Sequence, residues 1–518
     1  MINFAKAKNG ADICIKDGFY LHSNYNPQKE AERFVETIKP DYMPSAIIVT
    51  EPALSYAIPF LKEKFPNSKF CAIRFCDSFN EFDNLWDKVF YLKNDNLQNQ
   101  LFDYFGEELV NSLFFVSWKP SENAFTDCFF SAWQSIKSFI TLSRDILGTR
   151  IYFNKRWNKN VIKFSIFLEN AVDINFCKIT KPIVIAASGP SLKHMLPTLK
   201  EHRNCFFLLA VSSALKPLLT QKILPDAVIS TDGGWYAQEH LKQLKFFPDI
   251  PIFLSTESYS NNKMLKTQKI IPLSYKDGVE AILLEQAGIK ALKAERNGTV
   301  SGTAAELALK LTDKDIFFCG LDLCTSNGFQ HIQPNELELD KIPFDTKFSP
   351  VETRISLNTF ENEQLKIYRN WFSTRPKEFS NRIKRVYQKD SQQRKSLPNI
   401  SDITAETFEK IIQDSSKENF QQFQHHIDTK FQSLFSKKER IKKLELYFSN
   451  LKKNIYDFFS SKLLLENAPF ELELWFKSLS LGDYLSLTQR NESMTEKMYE
   501  NLKTAIYELE ELLNRYEK

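Results

Sequence analysis

This sequence is poor in glycine, with 14 glycines among 518 residues, and two nucleotide-binding motifs that depend on glycine are absent. Lys-Ser or Lys-Thr does not follow the glycine at 189, so the chain has no Walker loop, and it has no GxGxxG stretch. The segment after the apolar run AIIV, TEPALSYAI, also lacks the glycine that close backbone approach to a cofactor requires. We therefore expect a first domain without a nucleotide cofactor.

Other features are missing too. The eight cysteines form no Cys-x-x-Cys pair and no Cys/His cluster at zinc spacing, so we expect reduced, mostly buried thiols. The 68 basic and 64 acidic residues give a net charge of +4, which does not indicate a nucleic-acid-binding surface. No 18 consecutive apolar residues occur, and the first residues lack a signal peptide's apolar segment. The expectation is a cytoplasmic globular protein without membrane insertion.

The length of 518 residues exceeds what a single core supports, and the pattern divides the chain into four parts. Strand and helix patterns alternate in 1–120 and 173–400, which predicts Rossmann-like domains with parallel sheets. Residues 121–172 have helical spacing and are interpreted as a connector, and 401–518 as a helical domain with Ser401 and Asp402 as cap candidates. The predicted fold class is α/β, followed by an α-helical domain.

Three predicted strands of the central part, at 181–187, 205–211 and 225–231, each end in small or polar residues. Ligands of open parallel sheets bind beyond the carboxyl ends of strands, so these endings are expected to meet at one crevice. The residues concerned are Ser188, Gly189, Pro190, Ser191, Ser212, Ser213 and Asp232. The first four precede a helix pattern, and N–H groups at a helix N-terminus attract phosphate or carboxylate.

Two further segments are predicted to reach the same crevice. The segment 294–311 has a polar turn before an Ala-rich helix, and this turn could hold a second anion. It contains Asn297, Ser301, Gly302 and Thr303. In 314–335 a strand is followed by Asp322 and by a polar loop with His331, a candidate general acid or base or a phosphate donor.

Each of these residues also has a purely structural interpretation. A Gly-Pro-Ser turn commonly does no more than connect a strand to a helix. Asp232 can cap the helix that follows it, Asp322 can satisfy backbone donors in its own turn, and His331 can be an ordinary surface residue. The arrangement favours a ligand site, because polar residues follow five predicted strand ends in series.

In matching order along 1–335, the sequence resembles the motility accessory factor (Maf) flagellin glycosyltransferases. Members have a GPSL turn, a PD-[IV]-V-x-S-x-D segment, a Ser/Gly/Thr-rich turn before a helix, and a G-x-D-L segment followed by a Gly-x-x-His loop. The matching positions are 189–192, 225–232, 299–304, 320–323 and 328–331. The segments LHSNYNPQKEAERFV (21–35) and KRWNKNVIKF (155–164) are also similar, whereas TEPALS stands where related proteins tend to be rich in glycine.

The resemblance implies transfer of pseudaminic or legionaminic acid from a CMP-activated donor to Ser or Thr hydroxyls of flagellin. It also implies a central domain similar to bacterial sialyltransferases, which need no metal. Asp232 has no second carboxylate two residues away, so a metal-binding Asp-x-Asp is not supported. The expected partner is flagellin, which the C-terminal helices could hold by helix-in-groove packing, and no cofactor is expected.

The hypothesis assigns a role to each candidate residue. The turns at 188–191 and 301–303 hold phosphate and carboxylate of the donor, and Ser212, Ser213 and Asp232 contact its ribose, base or sugar hydroxyls. His331 accepts the proton of the acceptor hydroxyl and Asp322 orients its loop. Two alternatives stay open: an ATP-dependent pterin pyrophosphokinase, which shares the GPSL and PD-x-V-x-S-x-D patterns, and a non-catalytic flagellin chaperone or export factor.

Overall fold

The computed structural model describes most of the 518 residues. The described residues are 2–93, 96–173, 179–324, 329–339, 346–348, 365, 368–369, 371–372, 375, 377–387, 397, 399–416, 431–490 and 492–517. The chain groups into two compact units. One contains Met1–Tyr152, Phe458–Pro469 and Ser480–Tyr499, and the other contains Phe153–Asp457, Phe470–Leu479 and Glu500–Lys518. The four-part division of the sequence stays a prediction.

The described elements are numbered along the chain. The strands are β1 (Ile2–Lys6), β2 (Asp12–Lys16), β3 (Phe19–Tyr20), β4 (Ala46–Thr50), β5 (Lys69–Arg74), β6 (Lys88–Tyr91), β7 (Leu113–Ser117), β8 (Ile183–Ala186), β9 (Phe207–Val211), β10 (Ala227–Ser230), β11 (Ile252–Ser255), β12 (Ile270–Ser274), β13 (Leu292–Lys293), β14 (Ile316–Cys319), β15 (Ile383–Tyr387) and β16 (Ser401–Thr404). The helices are α1 (Pro27–Thr37), α2 (Ile58–Lys64), α3 (Leu97–Phe105), α4 (Lys119–Ala124), α5 (Thr126–Phe167), α6 (Leu192–Glu201), α7 (Leu215–Thr220), α8 (Ala237–Leu241), α9 (Asn262–Thr267), α10 (Val279–Ala287), α11 (Val300–Leu311), α12 (Glu336–Leu339), α13 (Lys377–Ser380), α14 (Ala405–Ser416), α15 (Lys437–Ser461), α16 (Phe470–Arg490) and α17 (Glu496–Glu517).

The first unit begins with a small antiparallel sheet of β1, β2 and β3. Asp17 and Gly18 connect β2 to β3 with φ angles of 50° and 89°, and positive φ at both positions is what a two-residue hairpin turn needs. This corrects the expectation that the strands of 1–120 all belong to a parallel sheet. The Asp-Gly pair reverses the chain before any helix can intervene.

The other sheet of the first unit has the order β6-β5-β4-β7 and is entirely parallel. Every residue of β4, AIIVT, is buried, as expected for a strand covered on both faces. The chain proceeds from β4 to β5 and β6 on one side and returns to β7 on the other. The direction of connection therefore reverses between β4 and β7, which is where sheets of this kind bind ligands.

The second unit contains a nine-stranded sheet with the order β13-β12-β11-β10-β9-β8-β14-β15-β16. All eight strand pairs are parallel. The strands β8, β9, β10 and β14 are buried at every position, so their apolar runs form the core of the sheet. The predicted α/β fold class with parallel sheets is confirmed.

The structure corrects the expected start of the helical C-terminal region. Ser401 and Asp402 do not cap a helix, because both lie in the edge strand β16. The carboxylate of Asp402 accepts hydrogen bonds from Arg385 Nε at 2.6 Å and Nη2 at 2.9 Å on neighbouring β15. The helix α14 begins at 405, where Thr404 Oγ1 accepts from Thr407 N at 3.3 Å. Beyond this point the described elements are helical.

Two further expectations from the sequence concern the cysteines and the helices. The seven cysteines in the described part of the chain are free, and four of them are buried; Cys177 lies outside the described residues. Across the described residues, no helix combines the length and the apolar character that crossing a membrane requires.

Candidate functional site

The nine-stranded sheet has one position where the direction of its connections reverses, between the adjacent strands β8 and β14. From β8 the chain continues outward to β13, then returns across the sheet along α11 and enters β14. The loops after β8 and β14 therefore lie side by side at the carboxyl edge. In open α/β sheets this is the position of the ligand crevice.

Glycine at 189 allows these two loops to touch. A Cβ atom at Gly189 would lie 2.4 Å from the carbonyl oxygen of Gly320, and the Gly189 N–H donates to that same oxygen at 2.8 Å. At Gly320, with φ of 79°, a Cβ atom would lie 2.5 Å from the Ala187 oxygen. The glycine of the GPSL turn thus permits contact with the protein's own backbone.

The anion at the GPSL turn is the side chain of Asp322. Its Oδ2 atom accepts from the Ser191 N–H at 2.6 Å, and its Oδ1 accepts from the Ser191 hydroxyl. The N–H groups of Leu192, Lys193 and His194 donate to carbonyl oxygens of 189–191 at 3.0–3.3 Å. Since Pro190 has no N–H, every backbone donor of 189–194 has a partner within the protein, and the turn has no N–H left for a phosphate.

Burial raises the pKa of the Asp322 carboxyl, and the two hydrogen bonds from Ser191 offset this only in part. The side chain is 8% exposed. Both oxygen atoms of the carboxylate are directed at Ser191, so Asp322 links β14 to the start of α6. Asp322 was expected to orient the loop that contains His331, but its carboxylate binds Ser191 instead.

The carboxylate beside His331 is Glu338, which the sequence analysis missed. His331 Nδ1 lies 3.0 Å from Glu338 Oε1, and Glu338 also accepts from the Gln330 N–H at 3.2 Å. If Nδ1 carries the proton that Glu338 accepts, Nε2 keeps the lone pair of a general base. The acidic run NELEL that follows His331 was the available signal.

A backbone hydrogen bond holds the His331 loop beside the end of β8, and a side-chain contact joins Ser188 to the segment after β9. The Ile332 N–H donates to the Ser188 oxygen at 2.7 Å, and the hydroxyls of Ser213 and Ser188 lie 2.8 Å apart. The His331 side chain is 33% exposed, so it can meet a ligand. The Ser188 and Ser213 hydroxyls therefore lie together, the backbone of the His331 loop adjoins Ser188, and Ser212 is buried next to Ser213.

A second histidine and glutamate pair is formed by His240 and Glu336. His240 Nδ1 on α8 lies 3.1 Å from Glu336 Oε2 on α12, and both side chains are largely buried, at 9% and 12% exposed. Because Glu336 and Glu338 are two residues apart, the short helix α12 supplies a carboxylate to each histidine. The loop after β10 and the loop after β14 are thereby connected.

Asp232 and the turn before α11 form a second group of predicted residues. Asp232 Oδ1 accepts from the Gly234 N–H at 2.7 Å, and this exposed carboxylate has no other hydrogen-bond partner among the described residues. Burial and the charge of Asp232 both raise the pKa of the Tyr368 phenol. A Cβ atom at Gly298 would meet the Tyr368 ring at 3.5 Å, so Tyr368 lies between Asp232 and this turn.

The turn before α11 is capped by one of its own residues. Thr299 Oγ1 accepts from the Gly302 N–H at 2.8 Å, and Thr303 is buried. A Cβ atom at Gly302 would lie 3.1 Å from both the Asn297 side chain and the Trp371 ring. The first N–H groups of α11, those of Val300 and Ser301, precede the intrahelical ladder and can bind an anion.

One face of α5 contacts the same carboxyl edge. The Asn160 amide donates to the oxygens of Gly233 at 3.2 Å and Glu257 at 2.8 Å, beyond β10 and β11. A Cβ atom at Gly233 would lie 2.6 Å from Trp157 Nε1. In the sequence, only the resemblance of KRWNKNVIKF indicated that this helix contributes to the site. Gly328 of the predicted Gly-x-x-His loop lies outside the described residues.

Known proteins place this fold in a class. A solved structure described as Maf glycosyltransferase from Magnetospirillum magneticum AMB-1 matches 100% of this chain and 92% of its own chain, with a TM-score of 0.52 and 11% sequence identity. At this identity the similarity shows the fold. The protein therefore has a Maf-like α/β fold.

Sequence relatives define the family. An uncharacterized protein of Treponema pallidum (strain Nichols) is 31% identical over 313 residues, which are 60% of this chain and 68% of that protein. The chain belongs to the family of this treponemal protein. A second uncharacterized Treponema pallidum protein is 23% identical over 354 residues, covering 63% of this chain and 60% of its own length. Residues 157–328 match the family "6-hydroxymethylpterin diphosphokinase MptE-like".

Proposed function

We propose that this protein is a glycosyltransferase that moves pseudaminic or legionaminic acid from a CMP-activated donor to Ser or Thr hydroxyls of flagellin in the cytoplasm. The observation that carries the proposal is the His331–Glu338 pair at the reversal point between β8 and β14. A histidine oriented by a carboxylate at a ligand crevice suits the removal of a proton from a hydroxyl. The Maf-like fold over the whole chain supports the choice of reaction.

The reaction needs one proton transfer and one bond exchange. The acceptor hydroxyl oxygen forms a bond to the anomeric carbon, the bond from that carbon to the phosphate oxygen breaks, and CMP leaves with the electron pair. His331 Nε2 takes the hydroxyl proton, and the carboxylate of Glu338 stabilises the imidazolium that results. This scheme uses no metal, so we expect a chelator to leave the rate unchanged.

The described contacts change where the donor's anion is expected to bind. The GPSL turn is occupied by Asp322, so we assign a donor anion to the N–H groups of Val300 and Ser301 at the start of α11. Ser188 and Ser213, whose hydroxyls lie 2.8 Å apart, and the exposed carboxylate of Asp232 are suited to the hydroxyls of ribose or sugar. Flagellin as acceptor rests on the resemblance of the motifs.

A second function has one observation in its favour. The match of 157–328 to the MptE-like pterin diphosphokinase family covers the edge from α5 to β14. An enzyme of that type would bind ATP with magnesium and transfer a diphosphate to a pterin. His331, Glu336 and Glu338 lie beyond the matched residues, and that is why we favour the glycosyltransferase.

Calorimetry with three ligands separates the two functions. We expect the full chain to bind CMP and a CMP-nonulosonic acid and not ATP with magnesium. Binding of ATP with magnesium but not CMP would indicate the diphosphokinase, and binding of neither would leave the chaperone alternative. The companion measurement is the intact mass of flagellin from cells with and without this protein, which should differ by whole nonulosonic acid units.

A further inference from the structure

Lys163 on α5 lies at the carboxyl edge of the nine-stranded sheet. It is one turn beyond Asn160, whose amide holds the loops after β10 and β11. The Lys163 Nζ atom lies 4.5 Å from the ring centroid of Tyr259 in the loop after β11. The Tyr259 N–H in turn donates to the backbone carbonyl oxygen of Asp232 at 3.0 Å. The Lys163 ammonium group therefore adjoins the loop that contains the predicted site residue Asp232.

The tyrosine beside this lysine has an aromatic neighbour of its own. Trp235, 52% exposed, lies with its ring centroid 6.4 Å from that of Tyr259. Among the described residues Lys163 forms no ion pair with a carboxylate, and burial alone lowers its pKa. A half-buried ammonium group costs free energy unless an acceptor reaches it. Its position at a ligand edge supplies a reason for keeping it there.

The neighbouring cation on this edge is different. Arg296 binds Glu257 through both terminal nitrogens, at 2.8 and 3.0 Å, and Asp277 through Nε and Nη2, at 2.8 and 2.9 Å. Its ring contacts with Trp157 and Tyr275 complete a closed structural group. Lys163 therefore differs from Arg296 in having no carboxylate among the described residues to neutralise it.

We propose that Lys163 and Tyr259 form a subsite for an anionic group of the CMP-sugar donor, either the phosphate or the sugar carboxylate. This inference rests on the proposed function. The phosphate and the carboxylate of such a donor are both attached to the anomeric carbon, so one subsite can serve either. The Tyr259 ring lies against the ammonium group, so it excludes water from one side of the ion pair and strengthens it.

The test measures the affinity of the full chain for cytidine, CMP and CMP-N-acetylneuraminic acid with Lys163→Met, Lys163→Arg and the control Lys159→Met. Lys159 lies on the same helix, is half-exposed and is 3.8 Å from Glu508. A charge-assisted bond to an anion is worth about tenfold to a hundredfold in affinity. We expect Lys163→Met to lose that much and the other two variants to lose little.

The three ligands assign the anion. A loss for both CMP and CMP-sugar with cytidine unaffected assigns the phosphate, and a loss for CMP-sugar alone assigns the carboxylate. Equal losses for all three ligands, or no loss for any, would overturn the subsite. If the unaltered protein binds neither CMP nor CMP-sugar, the proposed function itself fails and the subsite with it. Retained thermal stability of Lys163→Arg and Lys163→Met guards against a folding defect.

Discussion

The two parallel sheets of this protein have the same topological feature and use it differently. In the four-stranded sheet the connections reverse between β4 and β7, and in the nine-stranded sheet between β8 and β14. At the first position the polar side chains are buried: Glu51 and Arg74 have no exposed surface, and His22 has 1%. At the second, His331 is 33% exposed and Asp232 is exposed. The first edge is filled by the protein, and the second can meet a ligand.

The filling of the first edge explains how a loop without glycine can exist there. Glu51, Ala53 and Ser55 have φ angles of 38°, 45° and 62°, a region that side chains disfavour and that costs about 1–3 kcal/mol per residue. Arg74 holds this loop through the Ala53 oxygen at 2.8 Å and the Ser55 hydroxyl at 3.2 Å. The buried Arg74 guanidinium therefore holds this loop in place through the protein's own hydrogen bonds.

The largest expected difference between the two edges is the loss of stability on replacing Arg74. Replacing Arg74 with Met leaves Glu51, 3.1 Å away and fully buried, without its partner, and breaking a buried pair in this way costs about 3–5 kcal/mol. We expect a loss of that size in the free energy of unfolding by urea. The transferase activity of the molecules that remain folded should be unchanged. Arg33→Met, an exposed change on α1, is the matched control and should cost about 0.5 kcal/mol or less. Equal stability of the two variants would refute the account of the first edge.

At the second edge the expected loss is in rate. Without the His331 base, turnover should fall about 10²–10⁴-fold, while the affinity for CMP stays near that of the unaltered protein. His331→Asn tests this in a flagellin transfer assay. Glu338→Gln should lower turnover less than His331→Asn does. The glutamine amide can still contact the imidazole at the position where Glu338 lies 3.0 Å away, but it lacks the negative charge of the carboxylate. His202→Ala, at the end of α6, is the control, and a full rate for His331→Asn removes this residue from the chemistry.

Much of this fold could be predicted from periodicity alone. The runs IVIA, FLLAV and AVIS are buried strands because each residue faces a covered side of the sheet. Their polar endings therefore had to lie at one edge, which holds for Ser188 and Ser213. The C-terminal region was predicted as helical throughout, and within its described residues the strand β16 departs from this.

The partners of the site residues could not be predicted in the same way. Asp322 reaches Ser191 across 131 positions of sequence because β14 returns to lie beside β8, and a single sequence does not reveal strand order. Without that order, an empty anion-binding turn and one filled by the protein's own carboxylate look alike. Glu338 is a different case, since it is 7 residues from His331 and local spacing could have suggested the pair.

Asp322 offers a test of whether the GPSL turn is structural. Asp322→Ala removes both hydrogen bonds to Ser191, and leaving those donors unpaired should cost about 1–3 kcal/mol of stability. Asp322→Asn keeps an amide oxygen for the Ser191 N–H and should cost less. Urea unfolding of the two variants measures this. A large loss of CMP affinity at unchanged stability would instead place Asp322 in the binding site.

The raised pKa of Asp322 adds a dependence on pH with a definite sign. Because the folded pKa lies above the unfolded one, the contribution to stability is present below the unfolded pKa and is lost as the pH rises through the folded pKa. The unfolding free energy of the unaltered protein, relative to Asp322→Asn, should therefore fall as the pH rises above the unfolded pKa of about 4. A difference that is constant over this range would contradict the burial of the charge.

His22 predicts the opposite trend for the first edge. Burial lowers the pKa of this imidazole to about 3, and its Nε2 accepts the Leu54 N–H at 3.0 Å, which requires the neutral ring. The contribution of neutral His22 to stability is fully present above the unfolded pKa, near 6.5. It is lost as the pH falls from there towards the folded pKa of about 3, by at most about 1.4 kcal/mol per pH unit. The slope of unfolding free energy between pH 6 and 4 should be shallower in His22→Gln, whose amide can still accept from Leu54. An unchanged slope would show that His22 is already charged in the folded protein and that the first edge is open to water.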